Sequence, residues 1–134
     1  MYIFKSMEIS ASGLTAERLR MDLIAGNIAN INTTRTENGS YQRKSAVFAE
    51  KLDNYRHGSG VKVSEIRSDT TEPRLLYEPD HPDANDEGYV AYPNIDVVRE
   101  MVDMITATRS YEANVTAINA AKSMFLKALE IGRG

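Results

Sequence analysis

The sequence predicts a mainly α-helical chain with a small β-rich insert, in which long N- and C-terminal helices pair as a coiled coil. Three observations carry this prediction. The stretch from Asn94 to Ile131 contains neither Gly nor Pro. Apolar residues recur three and four positions apart near both ends of the chain, the spacing of one helix face. Between Ser40 and Tyr92 the texture changes to short β-favouring runs punctuated by Gly and Pro. The chain therefore divides into an N-terminal helix at 1–31, a loop and β-rich insert at 32–93, and a C-terminal helix at 94–134.

In the first helix the row Phe4, Met7, Ala11, Leu14, Met21, Ala25 and Ile28 follows three-four spacing, with Arg18 as its one charged member. Ile9, Ala16, Leu19, Leu23 and Ile24 widen the apolar surface beside it. Gly13 and Gly26 weaken the helix by about 1 kcal/mol each relative to Ala. The polar run Asn27, Asn30, Asn32, Thr33 and Thr34 ends it between Ala29 and Asn32, because Asn and Thr side chains bond to nearby backbone and favour caps over continued helix. On the residues alone these asparagines read as caps.

The insert contains β-favouring runs at Tyr41–Glu50, Val61–Ile66, Leu75–Tyr77 and Tyr89–Tyr92, with Gly58 and Gly60 separating the first two. Pro73, Pro79, Pro82 and Pro93 mark loops or strand ends. A compact insert of this size is expected to project from the helical pair.

The C-terminal helix follows Pro93, with Asn94 and Asp96 available to cap it and Gly132 placed to stop it. Its row is Val97, Met101, Met104, Tyr111, Val115, Ile118, Phe125 and Leu129, interrupted by Thr108 and Lys122. Such a helix reaches about 57 Å, whereas a compact chain of this size has a radius of gyration near 14 Å, roughly. It cannot be enclosed by its own domain. A second row, Val98, Val102 and Ile105 continuing through Ala113 and Ala120, leaves apolar surface for other chains.

Composition excludes several functions. With 16 basic and 19 acidic residues the formal net charge is −3, which favours neither nucleic acid nor anionic lipid. The lone basic-aromatic cluster Tyr41, Arg43 and Lys44 reads as a solvated strand face. The chain has no cysteine, so thiolate chemistry is absent and zinc patterns have no anchor; His57 and His81 read as surface histidines in loops. Asp83, Asn85, Glu87 and Gly88 partly follow a calcium loop, but the twelfth position is Asn94, where a bidentate Glu is required, and Pro93 breaks the register. Gly58-Ser59-Gly60 is too short for a phosphate cradle. No catalytic, metal or cofactor site is expected, no segment is long and apolar enough to span a bilayer, and the opening residues do not read as a cleaved secretory signal. Two other classes remain open on the residues alone: a helical adapter or export chaperone holding one client, and a metal-dependent enzyme centred on Asp80 to Glu87.

Three stretches together resemble the rod and hook axial proteins of the bacterial flagellum. The first is Asp22 to Asn30 with Thr33 and Thr34, which looks like the Asn-x-Ala-Asn stretch closing the family's N-terminal helix, although Gly26 stands where the family often has Asn. The second runs from Tyr77-Glu78-Pro79-Asp80-His81-Pro82 through Gly88-Tyr89-Val90 to Tyr92-Pro93-Asn94. The third is Glu100-Met101-Val102-Asp103-Met104, then Arg109-Ser110-Tyr111-Glu112-Ala113-Asn114, then Ala121-Lys122-Ser123-Met124. The family motif positions are thus Asn27, Asn30, Thr33, Arg109, Tyr111 and Asn114.

The resemblance implies a structural protein without a catalytic site or cofactor. It implies passage through the flagellar type III export apparatus without a cleaved signal peptide, and assembly in the periplasmic part of the basal body. The partners are other copies and other flagellar rod proteins, met through the terminal helices. It also implies that the acidic run from Asp80 is a connector into the C-terminal helix, that Asn27 and Asn30 end a helix at a subunit contact, and that Ile3, Phe4 and Met7 are candidate export-recognition residues.

Overall fold

The computed structural model describes residues 2–52 and 58–134. Its elements are α1 (Tyr2–Ala29), β1 (Lys44–Leu52), β2 (Gly58–Ser68), β3 (Arg74–Tyr77), β4 (Tyr89–Tyr92) and α2 (Val97–Gly132). Two helices therefore flank two separate two-stranded antiparallel sheets, β1–β2 and β3–β4. His57 lies outside the described residues.

The helices run antiparallel against each other. The Phe4 ring meets Phe125 edge-on at 5.1 Å, a Cβ on Gly13 would touch Asn114, the Thr108 hydroxyl lies 3.6 Å from the Met21 sulfur, and Asn27 bonds to Glu100. The side of α2 that is withdrawn from solvent carries Glu100, Met104, Ala107, Tyr111, Asn114, Ile118, Ala121 and Phe125, a strict four-three alternation. This corrects the expected row by one residue at every second step. Met104, Tyr111, Ile118 and Phe125 are on the seam, whereas Met101, Val115 and Leu129 are exposed. The reason is size: Ala107 and Ala121 are buried where Thr108 and Lys122 appeared as interruptions, and small side chains let the helix backbones approach. On α1 the fully buried residues are Ala16, Ile24 and Asn27; Met7, Leu14, Met21 and Ile28 are half-buried, and Ala11 and Ala25 are exposed.

Asp96 caps α2, its carboxylate accepting from the backbone N–H of Val98 at 3.0 Å and Arg99 at 3.4 Å. Asn94 does not serve. The helix runs on through Gly132, and Arg133 closes it by donating its N–H to the Leu129 carbonyl at 3.1 Å.

The β1–β2 hairpin lies along α1, contrary to the expected projection. The cause is a pair of small residues. Ser12 Oγ accepts from Val61 N–H at 3.0 Å, and Gly60, at φ 126°, sits so close to Ser12 that a Cβ would collide with it. Gly58 and Gly60 are accordingly part of β2, not separators: glycine is needed where a strand meets a helix backbone. Pairing starts at Lys44 with Ser68 and shifts register between Val47 and Phe48, a bulge at Ser64, whose hydroxyl donates to the Val47 carbonyl at 3.0 Å. The run read from Tyr41 begins as strand only at Lys44, because Tyr41 and Arg43 are drawn towards the helices.

β3 pairs with β4 from Arg74 opposite Tyr92 to Tyr77 opposite Tyr89. Between them, Asn85 Oδ1 accepts from the N–H groups of Glu87 and Tyr89 at 3.0 and 2.8 Å, and Gly88 takes φ 84°. Val90, Pro93 and Ile95 are buried and form the small core that leads into α2.

Candidate assembly interface

The site has two parts, a buried polar node where helices and insert join and an apolar surface along the outer side of α2. Asn27 is fully buried and Glu100 is 1% exposed. Such groups are tolerated in an interior only when their hydrogen bonds are complete. Asn27 Nδ2 donates to the Lys44 carbonyl at 2.8 Å and to Glu100 Oε2 at 3.2 Å. Its Oδ1 accepts from the Lys44 N–H at 2.9 Å and the Tyr41 hydroxyl at 3.0 Å. Glu100 Oε1 accepts from Arg43 Nε, and the same guanidinium reaches Asp103 Oδ2 at 3.6 Å. One asparagine thus joins the end of α1, the entry to β1 and the first turn of α2. Burial, with the Glu100 carboxylate second, pushes the Tyr41 phenol up from its ordinary value.

The two asparagines of the motif therefore do different things. Asn30 is the helix-end residue: its Nδ2 donates to the Gly26 carbonyl at 2.8 Å, and its Oδ1 accepts from the Thr33 hydroxyl at 3.1 Å. Asn27 is no cap. Thr33 in turn accepts the Tyr41 N–H on its carbonyl at 3.1 Å, which turns the chain from helix towards strand. Thr34 and Arg35 hold the insert's far loop, donating to Asp83; the Thr34 hydroxyl is the largest influence and, with the Arg35 charge, pulls the Asp83 carboxyl below its ordinary value, although desolvation, second in size, opposes them.

The candidate residues assigned other roles also find places. Tyr41 and Arg43 are not a solvated strand face but members of the node. His81 is not a free surface histidine: it is half-buried, its Nδ1 accepts from Asp83 N–H at 3.0 Å, and its ring lies against Tyr92. In the acidic run, Asp83 and Asn85 are engaged in loop contacts, and no group of three or more potential metal ligands is formed among the described residues. Of the remaining motif positions, Arg109 is exposed, while Tyr111 and Asn114 lie on the helix seam, Asn114 Nδ2 donating to the Ser110 carbonyl at 3.0 Å.

Apolar side chains are exposed towards both ends of α2. Val98 is 70%, Val102 56% and Ile105 57% exposed, and Met101, Met124, Leu126, Leu129 and Ile131 are exposed with them. Isolated exposed aliphatics are ordinary, whereas Val98, Met101, Val102 and Ile105 are exposed at neighbouring positions of one helix face. No helix is long and apolar enough to cross a membrane among the described residues.

Residues 86–131 match the family described as flagellar basal body rod FlgEFG protein C-terminal, and residues 7–35 match the family described as flagella basal body rod protein. Over its whole length the chain is similar to the flagellar basal-body rod protein FlgC of Bacillus subtilis, at 49% identity covering 99% of this chain and 100% of that protein. FlgC of Aquifex aeolicus is 43% identical over 97% of each chain, and FlgC of Escherichia coli O157:H7 is 39% identical over 99% of this chain and 100% of its own. The chain belongs to the FlgC family of flagellar basal-body rod proteins. The two family matches fall on α1 with its polar exit and on β4 with α2, whereas the similarity to FlgC runs through the insert as well.

Sequence reasoning did not give Glu100 and Arg43 their place in the node, nor Ala107 and Ala121 their place on the seam. A signal for the first was present. Glu100 falls on the same four-three alternation as Met104, Ala107 and Tyr111, and an acid on a buried register position implies a buried partner.

Proposed function

We propose that this chain is a structural subunit of the flagellar proximal rod, the drive shaft of the basal body, and that it is not an enzyme. It is exported by the flagellar type III apparatus without a cleaved signal peptide and assembles in the periplasm with other copies and with other rod proteins. The observation that carries this reading is the exposed apolar cluster Val98, Met101, Val102 and Ile105 at the start of α2, in a chain whose full-length relatives are basal-body rod proteins. Within the subunit, α1 and α2 form an antiparallel coiled coil, and the segments 1–31, 32–93 and 94–134 act as helix, insert and helix.

Between subunits, the contact uses the exposed members of the two rows, Phe4, Ala11, Ala25, Met101, Val115 and Leu129, together with Val98, Val102 and Ile105. The seam members Met7, Leu14, Met21, Ile28, Met104, Tyr111, Ile118 and Phe125 support it from beneath. Folding and assembly are coupled. Covering apolar surface returns about 25 cal/mol per Å², and this offsets the cost of ordering the helix ends furthest from the polar node.

Three measurements test the reading. The chain should be found in detergent-extracted basal bodies, and a stable one-to-one complex with a client in the cytoplasm would instead identify an export chaperone. Replacing Val102 with Asp, at an exposed position, should change the stability of the isolated subunit by no more than about 0.5 kcal/mol while abolishing rod assembly; normal swimming by that variant would refute the proposed contact. Circular dichroism of dilute subunit should show less helix than assembled material.

A further inference from the structure

We infer that Glu100 is the positioning residue that sets the axial register of α2 on α1, and thereby decides which residues of α2 are turned outwards at each level of the subunit. The apolar part of the seam does not discriminate registers well. Sliding α2 by one heptad, about 10 Å, exchanges Met104 for Tyr111 and Ile118 for Phe125, which keep those places apolar, and only the small buried Ala107, whose place Asn114 would take, resists it sterically. The Glu100 carboxylate is different. In the observed register it is 1% exposed and receives Asn27 Nδ2, held in place by Lys44 and Tyr41, and Arg43 Nε, which comes from the entry to β1 and also reaches Asp103 of α2.

Either slide separates it from these donors. One way it lies level with Met21 and Ile24; the other way it passes the end of α1 at Ala29. A buried carboxylate without its donors is costly, so this polar position excludes slipped alternatives that the large apolar positions admit. Hydrophobic burial supplies affinity between the helices, and the polar node supplies their alignment. The consequence for assembly rests on the rod reading, because a slipped α2 would offer its neighbours a displaced surface; the register itself does not depend on that reading.

The chain has no cysteine, which makes disulfide trapping direct. Met21→Cys with Thr108→Cys reports the observed register, since these side chains meet. Met21→Cys with Val115→Cys, and Met21→Cys with Met101→Cys, report slips of one heptad in either direction. In the otherwise unaltered chain only the first pair should oxidise. With Glu100→Met the slipped pairs should oxidise to a yield comparable with the first, while far-UV circular dichroism keeps its helical signal. Glu100→Gln, which retains a hydrogen bond to Asn27, should return to the first pair alone.

Slipped pairs in the unaltered chain, or a Glu100→Met chain that still oxidises only the first pair, would overturn the inference. So would a Glu100→Met chain that unfolds, since the seam must close without the carboxylate. Slipped pairs accompanied by normal rods would remove only the consequence for assembly, and absence of the unaltered chain from basal bodies would remove the rod reading while leaving the register untouched.

Discussion

Replacing Asn27 with Ala separates the two asparagines of the motif by energy. The side chain makes four hydrogen bonds, at 2.8, 3.2, 2.9 and 3.0 Å, three of them to Lys44 backbone and Tyr41 and one to Glu100. A net hydrogen bond contributes about 1 kcal/mol, and a buried group left without its partner costs about 1–3 kcal/mol. Glu100 keeps Arg43, and a water entering the space left by the amide recovers part of the rest. The expected loss is therefore about 3–5 kcal/mol, a large share of the 5–15 kcal/mol, roughly, that holds a domain together.

Asn30→Ala removes bonds at 2.8 and 3.1 Å from a half-exposed helix end, where water substitutes, and should cost about 0.5–1.5 kcal/mol. Urea denaturation followed by far-UV circular dichroism and tyrosine fluorescence measures both. A melting temperature should fall by roughly 10–20 °C for the first and by a few degrees for the second. If Asn27→Ala proves no more costly than Asn30→Ala, both residues are caps and the node does not hold the helices to the insert.

Further outcomes follow from the same geometry. Tyr41 has its folded pKa raised above the ordinary tyrosine value, by burial first and Glu100 second; its contribution is complete below the unfolded pKa and is lost as pH rises through the folded one. Urea midpoints should therefore drop in the alkaline range, and Tyr41→Phe, though about 1 kcal/mol less stable at neutral pH for want of the Asn27 bond, should show a shallower alkaline fall. Asp83 is lowered, chiefly by the Thr34 hydroxyl and then by Arg35, so its tie is present above the ordinary carboxylate pKa and is released as pH falls through the folded value; carboxyl titration by NMR should place Asp83 higher in Thr34→Val than in the parent. Gly60→Ala must meet both a positive φ and Ser12, whereas Gly39→Ala meets only a positive φ with open space around it. The first should cost well over the roughly 1 kcal/mol of strain expected for the second, and equal melting temperatures would show that the hairpin does not press on α1.

The sequence by itself determined the number, order and approximate limits of the helices and strands, because these follow from local periodicity and from Gly, Pro and Asx punctuation. It also determined that both chain ends carry apolar surface beyond what one small domain encloses, which the length of the C-terminal run alone requires. Only the tertiary structure decided which of two adjacent rows on α2 faces α1. A periodic count rewards Met101, Val115 and Leu129 for being apolar, whereas packing at a close helix contact rewards Ala107 and Ala121 for being small. It alone decided that Asn27 and Asn30, three residues apart and alike in chemistry, are a buried junction and a helix end respectively, since that depends on Tyr41, Lys44 and Glu100 arriving from elsewhere in the chain. Local patterns report what a residue prefers next to its neighbours in sequence; a buried polar group acquires its role from partners that only the folded chain brings within hydrogen-bonding distance.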